Sequence, residues 1–123
     1  MVHAKYILPF NPVNSKSVKV KESSTGINIK FKSELPFFAI ENGTVIHVGE
    51  LKSYGKVILI DHGDNKRSVY LGDLNINQKK GDIVKIGQNL GFTEIFLNSS
   101  KTFFFQIRIN NIPVKFEMNG IKD

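Results

Sequence analysis

An all-β sandwich of mainly antiparallel strands is the fold class this sequence predicts, and three observations predict it. Short runs rich in β-branched and aromatic residues recur at close intervals. Turns built from Gly, Asn, Asp and Lys break them. No window carries apolar residues at i, i+3, i+4 and i+7 with helix caps at its ends. Strands are expected at Tyr6–Pro9, Val18–Lys21, Ile27–Phe31, Phe37–Ile40, Thr44–Val48, Lys56–Asp61, Arg67–Leu71, Ile83–Lys85, Leu90–Thr93 and Thr102–Ile109.

Taken in order, Ser15–Gly26 is Ser- and Lys-rich and reads as an exposed strand followed by a loop. Lys19 and Lys21 alternate with Val18 and Val20, and Lys30 and Lys32 alternate with Ile29 and Phe31. Such alternation gives a strand one wet face and one dry one. Asn42-Gly43 and Gly63-Asp64-Asn65 supply residues that tolerate positive φ, and Lys80-Gly81-Asp82 and Gly87-Gln88-Asn89 are similar. Glu94–Lys101 reads as a loop, and Asn110-Asn111 as a hairpin tip between Ile109 and Ile112. In the last long strand, alternation sets Thr102, Phe104, Gln106 and Arg108 on one face and Phe103, Phe105, Ile107 and Ile109 on the other. The second set reads as core and the first as a surface.

With 123 residues the chain fits a single domain, residues 1–123, with its core in about 8–114. Hydrophobic residues make up 41% and charged residues 23%, a globular rather than a disordered balance. Trp is absent and Phe numbers ten, so the core is expected to be built from Phe, Ile, Val and Leu. Lys and Arg number 17 against 11 Asp and Glu, a formal charge of +6 that favours anionic partners or a well-solvated surface. Nucleic acid is not expected, because the lysines are scattered and no arginine-rich or RNP-like motif interleaves with the aromatics. Absence of cysteine excludes disulfides and cysteine-ligated metals. No run approaches the roughly 20 apolar residues of a membrane span. The opening MVHAKYILPF lacks the apolar core and small residues of a signal peptide. A piece of an exported protein would place the domain in the cell envelope or periplasm, and a cytoplasmic location stays open.

Ala39-x3-Gly43-Thr44-Val45 is followed by Tyr54-Gly55-Lys56-Val57-x3-Asp61-His62-Gly63 and Tyr70. Lys80-Gly81-Asp82-x-Val84-x2-Gly87-Gln88-x-Leu90-Gly91 comes next. In order and spacing these segments resemble the LytM domain of the lysostaphin-like M23 peptidases, which cut peptide cross-links in peptidoglycan. The last segment alone is weakly specific, because lipoyl-type hybrid-motif folds share it. The resemblance runs from about Leu8 to Val114 and implies a sandwich of the duplicated hybrid-motif type. The opening Leu8-Pro9-Phe10-Asn11-Pro12-Val13 is also similar to the start of the EnvC-like, catalytically inactive branch.

Active relatives place zinc on the His and Asp of an HxGxD segment and on the second His of a late HxH. They add catalytic histidines from a YxH segment and from the first His of HxH. Here HxGxD aligns with Ser24-Thr25-Gly26-Ile27-Asn28, YxH with Tyr70-Leu71-Gly72, and HxH with Thr102-Phe103-Phe104. All five positions, Ser24, Asn28, Gly72, Thr102 and Phe104, hold other residues. Catalytic zinc takes about three His or carboxylate ligands and an open position for water. Hydroxyl, amide and phenyl groups do not supply that set. Catalytic residues, metal ligands and cofactors are therefore all expected to be absent.

Only His3, His47 and His62 occur, and a structural role is expected for each. His47 is expected to share a strand face with Val45, either against the core or pointing outward, and His62 closes the Ile60-Asp61-His62-Gly63 turn. A rebuilt metal site would need His47, His62 and Asp61, although Asp61 and His62 are neighbours that point to opposite faces of a strand. The resemblance to the inactive branch implies a domain that binds and regulates a cell-wall hydrolase such as an amidase. Its expected contact surface is Ser24, Asn28, Gly72, Thr102, Phe104, Gln106 and Arg108. A peptidoglycan-binding module without a protein client is the first alternative, and a residual metallopeptidase the second.

Overall fold

The computed structural model describes residues 9–10, 18–95 and 102–115. Its strands are β1 (Val18–Ser23), β2 (Gly26–Phe31), β3 (Pro36–Phe38), β4 (Gly43–Leu51), β5 (Gly55–Gly63) and β6 (Lys66–Gly72). They continue as β7 (Leu74–Ile76), β8 (Ile83–Val84), β9 (Asn89–Thr93), β10 (Thr102–Ile109) and β11 (Ile112–Val114). The larger sheet runs β1-β2-β10-β6-β5-β4-β8, with β11 paired to β10, and the smaller runs β3-β9-β7. All strand pairings are antiparallel. The fold is the all-β sandwich expected. Among the described residues no helix is long and apolar enough to cross a membrane.

The turns show which backbone signals carry the topology. Asp64 and Asn65 (φ 53° and 61°) join β5 to β6, and Asn110 and Asn111 (φ 54° and 63°) join β10 to β11. Two successive left-handed residues make a type I′ turn, whose twist matches that of the flanking strands. Gly81 and Gly87 also take positive φ, at 98° and 82°. Asn42-Gly43 does not. Gly43 opens β4 against Val84, and a Cβ there would stand 2.6 Å from the Asp61 carbonyl oxygen. Close packing, rather than a hairpin turn, is what requires glycine at that position.

Two other readings change. A strand at Leu74–Ile76 was not expected, because three residues flanked by Asp73 and Asn77 carry little signal. His47 does not share the Val45 face. The register between β4 and β5 shifts between Val45 and His47, so Val45 is buried opposite Ile60 while His47 is exposed opposite Leu59. Of the expected strand Tyr6–Pro9 and the loop Glu94–Lys101, residues 6–8 and 96–101 lie outside the described residues, as does His3.

The core lies between the two sheets. Ile27, Ile29, Ile58, Ile60, Tyr70, Phe103, Phe105 and Ile107 face it from the larger sheet, and Phe37, Leu74 and Leu90 from the smaller. Tyr70 is the hub, with ring centroids 5.0 Å from Phe105, 5.6 Å from Phe37 and 6.1 Å from Phe103. Its hydroxyl donates to the Phe38 carbonyl at 2.9 Å, which satisfies the buried polar tip and ties the sheets together. Burial pushes the Tyr70 phenol well above its usual range.

Candidate functional site

One face of the larger sheet meets the core, and among the described residues no strand packs on the other, the open face. On β10 the buried residues Phe103, Phe105 and Ile107 alternate with half-buried Thr102, Phe104, Gln106 and Arg108, which point to the open side. Pairing extends each of these into a row across the sheet. Phe104 stands between Asn28 of β2 and Leu71 of β6, and Leu71 lies opposite Val57 of β5. Gln106 lies beside Val69, which faces Leu59. Thr102 lies beside Lys30, itself opposite Lys19. Arg108 lies beside Arg67, which has Asp61 on its other side.

A hydrogen-bonded chain fixes the polar end of this surface. Gln106 Nε2 donates to the Thr25 carbonyl at 3.0 Å, and Arg108 Nη1 donates to Gln106 Oε1 at 3.1 Å. Arg108 Nη2 donates to the Asn111 carbonyl at 2.6 Å. The guanidinium is therefore held between two turns, which reduces the rotamer entropy it would lose on meeting a ligand. Ser24 sits exposed in the turn after β1. The Phe104 ring packs onto Gly26, where a Cβ would lie 3.0 Å from Phe104 Cζ and 2.4 Å from the Phe105 carbonyl oxygen.

Of the seven expected surface residues, Asn28, Thr102, Phe104, Gln106 and Arg108 share the open face, and Ser24 borders it through the turn that Gln106 holds. Gly72 stands apart. It is buried between Phe103 and Lys56, and a Cβ added to it would lie 2.3 Å from the Thr102 carbonyl oxygen. A cleft of about 470 Å³ lies beside it, walled by Leu51, Lys56, Asp73 and Glu94 among others. The sequence reading missed the apolar partners Val57, Leu59, Val69 and Leu71. Their signal was alternation with Ile58, Ile60, Ser68 and Tyr70, which identifies a second apolar stripe on the opposite face.

The resemblance assigns zinc to the positions of Ser24, Asn28 and Phe104, and the residues present do not fit that ion. A hydroxyl on a turn, an amide and a phenyl ring offer no charge and no strong donor set. The ring also fills the space over Gly26. His62 is committed elsewhere. Its Nδ1 lies 2.8 Å from the Asn42 carbonyl oxygen and its Nε2 2.8 Å from Ser68 Oγ. A carbonyl only accepts, so Nδ1 carries the proton and Nε2 accepts from the serine hydroxyl. Burial lowers the pKa of this imidazole and keeps it neutral, partly opposed by the Asn42 hydrogen bond and Glu41. Among the described residues no three His, Asp or Glu side chains are grouped so as to hold a metal ion.

A 37% identical stretch of 70 residues relates 57% of the chain to 12% of an uncharacterized protein of Neisseria meningitidis serogroup B. A lipoprotein NlpD/LppB homolog of Pseudomonas aeruginosa is 29% identical over 90 residues, covering 72% of this chain and 30% of that protein. The chain thus spans a third or less of the length of these two relatives. Among solved structures, the SpoIIQ–SpoIIIAH pore-forming complex contains a chain of the same fold. It matches with TM-score 0.75 and 23% identity, over 90% of this chain and 87% of that one. A zinc-containing peptidase from Vibrio cholerae matches with TM-score 0.65 and 23% identity, over 100% of this chain and 36% of that one. The model of peptidase family M23 matches residues 22–116, most of the chain from the β1–β2 hairpin to just past β11. On that match, and on the sandwich it shares with solved members of the fold, the protein belongs to peptidase family M23.

Proposed function

We propose that this domain is a non-catalytic member of the family that binds and regulates a cell-wall hydrolase, such as an amidase, at the cell envelope. One observation carries the reading. The positions at which catalysis would be built hold Ser24, Asn28, Gly72, Thr102 and Phe104, while the surrounding fold is intact. The Phe104 ring, seated on Gly26, supplies an apolar anchor there. Arg108, fixed by Gln106 and Asn111, supplies a planar donor fork suited to a carboxylate. The lipoprotein naming of one relative and the two-protein complex among the structural neighbours support an envelope location and a protein partner.

The test is affinity co-purification of the tagged domain with candidate amidases, repeated with Phe104→Ala combined with Arg108→Glu. Capture by the wild type and loss in the double variant are expected. Undiminished capture by the double variant would sink the assignment of this face. The basic surface favours a second reading, a module that binds peptidoglycan directly, and sedimentation with purified sacculi separates the two. Elemental analysis addresses the third, residual peptidase activity, since stoichiometric zinc would contradict a non-catalytic role.

A further inference from the structure

The strands of the open face break a local rule twice. Lys19 lies directly opposite Lys30, and Arg67 directly opposite Arg108. Like charges facing each other across a pair of strands destabilise a sheet. Lys21 adds a third exposed lysine next to Asn28, and the carboxylates on β1, β2, β5, β6 and β10 are Asp61, beside Arg67, and Glu22, which strand alternation turns to the face opposite Lys21. Asp61 accepts a hydrogen bond from the Gly63 amide at 3.0 Å. Lys19, Lys21, Lys30 and Arg67 all remain exposed. Places where a local rule fails are where functional or strained sites are expected.

The placement of these charges has a shape. One cationic pair, Lys30 with Lys19, lies beside Thr102, and the other includes Arg108 itself, six residues further along β10. At roughly 3.3 Å per residue, the two ends are about 20 Å apart. Between them lie Phe104, Leu71, Val69 and Leu59, all half-buried and apolar. A polymer charged along its whole length would leave that middle stripe unmatched.

We infer that the open face takes an extended acidic protein segment, with carboxylates at both ends and apolar side chains between. The segment is about six residues long, the span of the gap. This inference rests on the reading of the open face as a protein-binding surface and adds the chemistry of the partner. Charge complementarity is the argument for this occupant.

A fluorescein-labelled synthetic peptide with glutamates at both ends and an apolar middle tests it by fluorescence anisotropy. Wild-type protein is expected to bind the peptide more tightly at low salt than at high salt. Lys30→Glu with Arg67→Glu is expected to weaken binding about tenfold or more. Lys80→Glu with Lys85→Glu, an equal change of charge on exposed turns around β8, should leave it within about twofold. Equal weakening by both pairs would reduce the effect to net charge and overturn the inference. Equally tight binding of polyglutamate, or sedimentation with sacculi or phosphatidylglycerol vesicles that requires Lys30 and Arg67, would overturn it in favour of a polymer or lipid. An amidase still captured by the Lys30→Glu, Arg67→Glu variant overturns the acidic-segment inference and leaves the proposed function standing. No amidase captured by the wild type overturns the proposed function itself.

Discussion

On the core side of the larger sheet, Phe103, Phe105 and Ile107 pack with Tyr70 and Phe37 in contacts that exclude water. On the open side of the same strand, Thr102, Phe104, Gln106 and Arg108 meet two like-charge pairs and a half-buried apolar stripe. Both sides share one backbone and one set of ladder hydrogen bonds. Folding accounts for the first arrangement. The second contains features that folding alone would remove, and the comparison therefore separates residues kept for stability from residues available for binding.

The largest expected effect lies on the core side. Phe105→Ala should cost about 3–5 kcal/mol in urea denaturation, through lost burial and a cavity beside Tyr70. Phe104→Ala, one residue away and half-buried, should cost about 1 kcal/mol. Equal losses would mean that the open face is also structural. Next is the backbone between the faces. Gly72→Ala places a Cβ 2.3 Å from the Thr102 carbonyl oxygen, whereas at Gly81, also at positive φ, nothing lies within 4 Å. The Gly72 variant should be the less stable of the two by about 1–3 kcal/mol.

The pH response is a smaller expected effect, and its sign follows from His62. Burial holds the folded pKa below the unfolded value of about 6.5, so the unfolded chain binds the extra proton first. Stability should fall as pH drops below about 6.5 towards the folded pKa and be level above it. Urea midpoints across this range should show the His62→Asn variant lacking that part of the slope. A slope unchanged in the variant would assign it to the carboxylates instead. The smallest effect belongs to the charge pairs. Lys19→Glu replaces repulsion with Lys30 by attraction and should raise stability by about 0.2–1 kcal/mol, with a higher urea midpoint at low salt.

Much of this fold was legible because its strands are short and amphipathic. Phe103-x-Phe105-x-Ile107 declared its buried face by period alone. The Asp64-Asn65 and Asn110-Asn111 turns declared themselves by residue type. The bulge after Val45 was not legible, because the run Val45-Ile46-His47-Val48 holds no Gly, Asn or Pro to mark it and only pairing with β5 fixes the register. The same limit hid part of the candidate site. Arg67 and Arg108 are more than 40 positions apart, and only the alignment of β6 against β10 makes them adjacent. Gly72 was expected to contribute to the surface, but its φ of 147° directs the missing Cβ into the backbone of β10.

The most direct measurement is release of dye from labelled sacculi by a candidate amidase, with and without the purified domain. A regulator that binds without cutting should release no dye alone and should change the amidase's rate, and the Phe104→Ala, Arg108→Glu variant should not. Dye released by the domain by itself, with zinc bound stoichiometrically, would contradict the account.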